Sequence, residues 1–110
     1  MKNLLFVLLL PLLFACNKGD NPTVRYRVQC NGGCEVSYSM NGGLVTTESV
    51  SGSWNKSFRG NIGSQIYLTA MVTAPIGSAS IEVKLNDEVF DSKATSISFE
   101  LISISGIIPE

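Results

Sequence analysis

Beyond residue 22 the chain alternates apolar and polar positions with a period of two, the signature of strands that bury one face. Residues 23–29 place Val24, Tyr26 and Val28 on one face and Arg25 and Arg27 on the other. Residues 35–40 repeat the pattern, with Val36, Tyr38 and Met40 opposite Glu35, Ser37 and Ser39. It continues through 44–50 and a short segment, 54–58, where Trp54, Lys56 and Phe58 alternate with Asn55 and Ser57. In 65–73, Ile66, Leu68, Ala70 and Val72 share the core face while Tyr67, Thr69 and Met71 line the reverse. Residues 80–85 turn Ile81, Val83 and Leu85 inward, and 89–92 return from a hairpin at 86–88. The last strand, 95–105, is expected to bury Ile97, Phe99 and Leu101, with a bulge at Leu101-Ile102 bringing Ile104 back to the core. Breakers separate these runs: Asn31-Gly32-Gly33, Asn41-Gly42-Gly43, Ser51-Gly52-Ser53, 59–64 and 74–78. Seven or eight short antiparallel strands, each with one buried and one wetted face, predict a small all-β sandwich over 23–110.

The first 15 residues follow a different rule. Lys2 precedes an unbroken apolar stretch, Leu4 to Leu10, that passes through Pro11 to Leu12, Leu13, Phe14 and Ala15. A membrane-spanning helix needs about 20 apolar residues, so this shorter run with a basic start predicts an export signal over 1–15. Its end, Leu13-Phe14-Ala15-Cys16, resembles the bacterial lipobox. The resemblance implies cleavage before Cys16, a diacylglycerol thioether on its sulfur and a third, palmitate-like chain on its amine. Two or more chains make attachment stable where one does not. Residues 16–22 then read as a lipidated flexible tether, since Asn17-Lys18-Gly19-Asp20-Asn21-Pro22 is polar and rich in breakers. Resemblance to known lipoproteins implies that the absence of Asp at position 17 permits transfer to the outer membrane of the cell envelope, facing either the periplasm or the medium.

Composition sharpens this division. The chain has 110 residues and is 45% hydrophobic, but the apolar excess lies in the leader. From residue 17 onward Val and Ile total 17 against 4 Leu, which favours strands over helices. So short a domain buries roughly 60–65% of its unfolded surface, leaving no room for a nucleotide-binding fold or a deep cofactor cavity; no cofactor is expected. Eight Lys and Arg against nine Asp and Glu give a net charge of -1, without the basic footprint that nucleic acid requires.

Candidate chemistry is sparse. With no histidine among the 110 residues, Ser-His-Asp and Cys-His devices are excluded. Ser53-x-x-Lys56 matches a hydrolytic pattern that works on a helix, but a strand would point the two side chains to opposite faces. Glu82, Asp87, Glu88 and Asp91 form an acidic hairpin rim, with a weak surface calcium site as the alternative reading; no catalytic residue and no dedicated metal site are assigned. Three cysteines are resolved by lipidating Cys16, leaving Cys30 and Cys34 around a strong turn signal. Strands leaving a three-residue hairpin there would face the two cysteines at disulfide distance, which predicts a hairpin-clipping disulfide. Redox chemistry, or soft-metal binding with Met40 or Met71, are the competing readings. Trp54, Tyr67 and Met71 are the candidate binding surface, although Trp54 with Phe58 also suits the role of a core plug.

Tyr26-Arg27-Val28, Val36-Ser37-Tyr38, Ser53-Trp54-Asn55-Lys56-Ser57-Phe58, Gly63 leading into Ile66-Tyr67-Leu68-Thr69-Ala70, and Ile81 through Val89 occur in an order that resembles the small mycobacterial membrane protein (MmpS-like) family and similar lipoproteins. The resemblance implies an amino-terminal membrane attachment and an immunoglobulin-like β domain outside the cytoplasm, some members being accessory to lipid or siderophore exporters. The expected function is therefore a non-catalytic envelope lipoprotein that presents a β surface to another envelope protein or an exporter. The alternative is a structural or cell-surface lipoprotein without a small-molecule ligand.

Overall fold

The computed structural model describes residues 21–109. Six strands follow one another: β1 (Thr23–Ser39), β2 (Thr46–Arg59), β3 (Gln65–Val72), β4 (Ser78–Leu85), β5 (Glu88–Thr95) and β6 (Leu101–Ile107). They form a single antiparallel sheet in the order β5-β4-β1-β3-β6, with β2 on β1. The expected immunoglobulin-like β-sandwich of seven or eight strands is thus replaced by a nearly closed, six-stranded, single-sheet barrel.

Strand continuity is the reason. The breakers at 31–33 and 51–53, taken as chain turns, lie inside β1 and β2, which merges four expected short strands into two long ones. β2 follows one edge of β1 on both sides of the bend, from Thr23 opposite Arg59 to Tyr38 opposite Thr46. The other edge is shared: residues 24–31 pair with β4 and residues 34–39 with β3. Because both halves of β1 belong to one ladder system, the two faces that would make a sandwich are one sheet folded over itself. Corners of this kind are made by bulges, which add local twist and bend. Here β1 runs from Cys30 to Cys34 while its partner advances only from Gly52 to Val50, leaving two additional residues in β1. Gly32 and Gly33 adopt φ of 107° and 124°, and Gly52, the partner of Cys30, 84°, conformations that side-chain-bearing residues rarely enter.

Inward positions follow the period-two expectation in most strands. Val24, Tyr26, Val28, Val36, Tyr38, Ile66, Leu68, Ala70, Val72, Ile81 and Val83 are buried. Residues 35–40 depart at their end, where Ser39 is buried and Met40 exposed, and the last expected strand departs most, since it begins only at Leu101. Ile97, Phe99 and Leu101 are exposed, and Ile102, Ile104 and Ile108 fill the core instead. The free edges of β5 and β6 approach each other, and Phe90 of β5 seals the seam by lying over Gly106 of β6, where a Cβ would stand 2.7 Å from the ring. Among the described residues, no helix is long and apolar enough to cross a membrane.

Candidate functional site

Two ends of the barrel differ in chemistry. At the bend end, the bulge at 31–33 meets the loops that follow β3 and β5. Gly32 packs so closely that a Cβ would lie 2.8 Å from the Ile76 carbonyl oxygen, and Gly77 is pressed in turn against the carbonyl oxygen of Asn31. The Thr73 N–H donates to the Gly33 carbonyl at 3.0 Å, and the Phe99 N–H to that of Val72 at 2.8 Å. The Ser98 hydroxyl lies 2.7 Å from the Ala74 carbonyl and 2.9 Å from that of Pro75, so one proton serves two acceptors on the neighbouring loop. The Thr95 hydroxyl binds the Glu100 carboxylate and accepts the Ile97 N–H at 3.1 Å. These bonds pin the two loops together, yet the side chains they carry face water. Ile76 is 89% and Phe99 64% exposed, with Ile97 and Leu101 also exposed. Phe99 is held at φ 64°, where a bulky L-residue is an outlier.

Cys30 and Cys34 form a disulfide across this bulge, with 6.1 Å between their Cα atoms. Four residues of extended strand would span about 13 Å, so the bridge fixes the looped-out shape of 31–33. It clips a bulge within one strand rather than the two arms of a hairpin, a partial correction to the expectation. Both cysteines are buried, and their sulfurs are bonded to each other, so neither is a thiolate available to a soft metal. Cys16 lies outside the described residues.

Trp54, Tyr67 and Met71 do not share a surface. Trp54 sits on the core side of β2, half-buried, while Tyr67 and Met71 are half-buried on the outer side of β3. Trp54 belongs to an aromatic string: Phe58 to Tyr26 at 5.3 Å, Tyr26 to Tyr38 at 6.3 Å and Tyr38 to Trp54 at 5.0 Å between ring centroids. The first two contacts are edge-on, the favoured geometry for aromatic quadrupoles. The polar atoms of the string are all satisfied. The Tyr26 hydroxyl donates to the Ser39 carbonyl at 2.9 Å and accepts the Tyr67 N–H at 3.2 Å. Glu48 accepts from the Tyr38 hydroxyl at 2.8 Å and from Trp54 Nε1 at 3.4 Å. The Lys56 ammonium lies 5.8 Å from the centre of the Tyr38 ring. Donation to Glu48, desolvation and the carboxylate charge together raise the Tyr38 pKa. Burial raises that of Tyr26, opposed by the Tyr67 N–H. The string therefore ties the two halves of β1 together and offers no activated acid or base.

The outer side of β2, β1, β4 and β5 carries a polar groove of about 440 Å³, lined among others by Arg27, Gln29, Ser53, Asn55, Glu82 and Lys93. Arg27 faces Glu82 at 3.5 Å. The Ser53 hydroxyl donates to the Gln29 side-chain oxygen at 2.8 Å, an amide that cannot act as a base, and Lys56 is on the opposite side of the strand. The groove can hydrogen-bond a ligand but holds no paired nucleophile and base. Glu82 is also 3.9 Å from Lys84, and among the described residues no group of three or more potential metal ligands comes together. The apolar bend end was missed by sequence reasoning because Ser-Ile-Ser-Phe-Glu-Leu alternates like a strand; the one usable signal was Ile76, an apolar residue within a Pro-Gly loop.

No protein-family model matches the chain, and no curated protein matches it.

Proposed function

We propose that the chain is a lipid-anchored envelope module that binds another envelope component through the apolar bend end of its barrel. The observation that carries this reading is Phe99, which projects into water from loops pinned by Ser98 and Thr95, at a backbone angle unfavourable for its type. Strain of about 1–3 kcal/mol persists where surrounding structure over-determines it, and such places cluster at functional sites. Ile76, Ile97 and Leu101 at the same end add apolar area of the kind that marks protein contacts. The export signal and the lipobox-like Leu13-Phe14-Ala15-Cys16 supply the anchor, with the outer membrane as its destination. Binding rather than catalysis is favoured because the polar groove offers no base for Ser53 and the sequence has no histidine.

A photo-crosslinking residue at position 99 in intact cells tests the reading. It should capture a discrete envelope partner that the same residue at exposed Ser49 does not. Identical products from both positions would leave the structural-lipoprotein alternative. Replacing Cys16 with serine should release the chain from the membrane fraction; unchanged, non-extractable attachment would refute the anchor.

A further inference from the structure

We infer that the 40–45 turn at the other end of the barrel rests on the bilayer that holds Cys16, with Leu44 as its inserting side chain; the inference depends on the lipid anchor proposed above. Leu44 is 94% exposed, and Met40 and Val45 beside it are exposed too. Met40-Asn41-Gly42-Gly43-Leu44-Val45 contains no charge. Three large apolar side chains in six uncharged residues suit insertion at a headgroup boundary.

Position selects the occupant. The Asn41 side chain donates to the Arg59 carbonyl at 3.1 Å and accepts the Asn61 N–H at 2.7 Å. The same short segment holds the tether. Arg59 donates to the Asn21 carbonyl at 3.5 Å, Ile62 N–H to the Asn21 side chain at 3.4 Å, and Gly60 N–H to the Pro22 carbonyl at 2.8 Å. Turn and tether therefore leave the barrel side by side. Five Cα steps separate Cys16 from Asn21, a contour of at most about 18 Å. β3, which runs between the two ends, is eight residues long, about 26 Å, more than the tether can reach. The tether end must stay close to the acylated residue, so Leu44 is presented to the bilayer at high effective concentration, and even a weak contact is populated. Proximity to the attachment point singles out the bilayer over a second copy or a protein partner as the occupant.

The test uses the full-length lipidated protein in phosphatidylethanolamine–phosphatidylglycerol vesicles, with Leu44→Cys or Ile76→Cys carrying an environment-sensitive fluorophore. Cys16 is acylated and Cys30 and Cys34 are joined, so the introduced thiol is the one that reacts. The label at 44 should shift to the blue and be quenched about two-fold or more by brominated acyl chains, as an interfacial apolar side chain would be. The label at 76 should respond to neither. In protein that co-floats with the vesicles, equal quenching at both positions, or none at 44, overturns the contact. Shielding of 44 from aqueous iodide without quenching by brominated lipid would place a protein surface there, and overturns it as well. Failure to co-float refutes the anchor itself, and the contact with it.

Discussion

The two ends of the barrel expose apolar side chains to a similar degree but hold them by different means. At the bend end the backbone is constrained sterically and covalently: Gly32 and Gly77 are wedged against carbonyl oxygens, the Cys30–Cys34 bridge closes the bulge, and hydroxyls of Thr95 and Ser98 pin the loops. At the opposite end, where Asn21 leads into β1, the side chains of Asn21, Asn41 and Asn86 clasp backbone groups of 59–62 and Thr23. Exposure alone therefore does not distinguish the ends. A constrained platform keeps one geometry, which suits a shaped partner, whereas Leu44 on a Gly-Gly turn needs only depth, which suits a fluid surface.

The largest expected effect comes from Gly77→Ala. Its Cβ would meet the Asn31 backbone, which cannot move without opening the bulge, and the side chain of buried Val72, so about 3 kcal/mol or more should be lost in urea unfolding. Gly60→Ala at the opposite end meets the side chains of Val24 and Ile108 at 2.6 and 2.7 Å, with the Pro22 carbonyl oxygen at an ordinary contact distance, and should cost about 1–2 kcal/mol. The reverse order would break the contrast between steric and hydrogen-bonded ends.

Removing the disulfide by Cys30→Ala with Cys34→Ala comes next. A five-residue loop implies about 2 kcal/mol from chain entropy, read as a lower denaturation midpoint. Hydrogen exchange should speed up at the Thr73 and Phe99 amides more than at Gly60 and Asn61.

Tyr26→Phe leaves the Ser39 carbonyl and Tyr67 N–H without their shared partner, a loss of about 1–3 kcal/mol. The same string sets an alkaline limit. Tyr26 and Tyr38 both have pKa values raised above 10.0 in the folded state, so the unfolded chain loses these protons first. Their contribution is present in full below about pH 10 and falls as pH climbs through the raised values. Absorbance titration of the phenols alongside midpoints between about pH 9 and 12 checks this; in Tyr38→Phe the decline should be shallower.

The smallest effect sharpens the functional side of the comparison. Phe99→Asn places a residue that tolerates positive φ, and stability should rise by about 0.5–1 kcal/mol while partner capture at the bend end is lost. A Phe99→Asn protein that loses stability would show that the ring supports the fold rather than serving a partner.

Much of the fold was legible because burial on a sheet has a fixed period. Val24, Tyr26 and Val28, or Ile66 to Val72, could be assigned to the core from alternation alone. The same rule failed at Ile97, Phe99 and Leu101, where alternation continues through a loop and Phe99 adopts a conformation that no residue pattern announces. It failed differently at Gly32 and Gly33. A glycine pair permits positive φ in a turn and in a bulge alike, and only a neighbouring strand that runs on alongside tells one from the other. Of the candidate site, Cys30 and Cys34 were readable as a pair from their spacing, whereas Trp54, Tyr67 and Met71 were separated by strand parity and by the fold-over of the sheet.

By itself the sequence determined the strand content, the inward faces of most strands, the pairing of Cys30 with Cys34 and the absence of histidine chemistry, because each follows from local periodicity, spacing or residue type. Tertiary structure decided that β1 and β2 pass through their breakers, that two expected sheets are one, and that exposed apolar side chains gather at opposite ends. Those outcomes depend on which strands share an edge, and edge sharing is fixed by contacts between residues far apart in the chain.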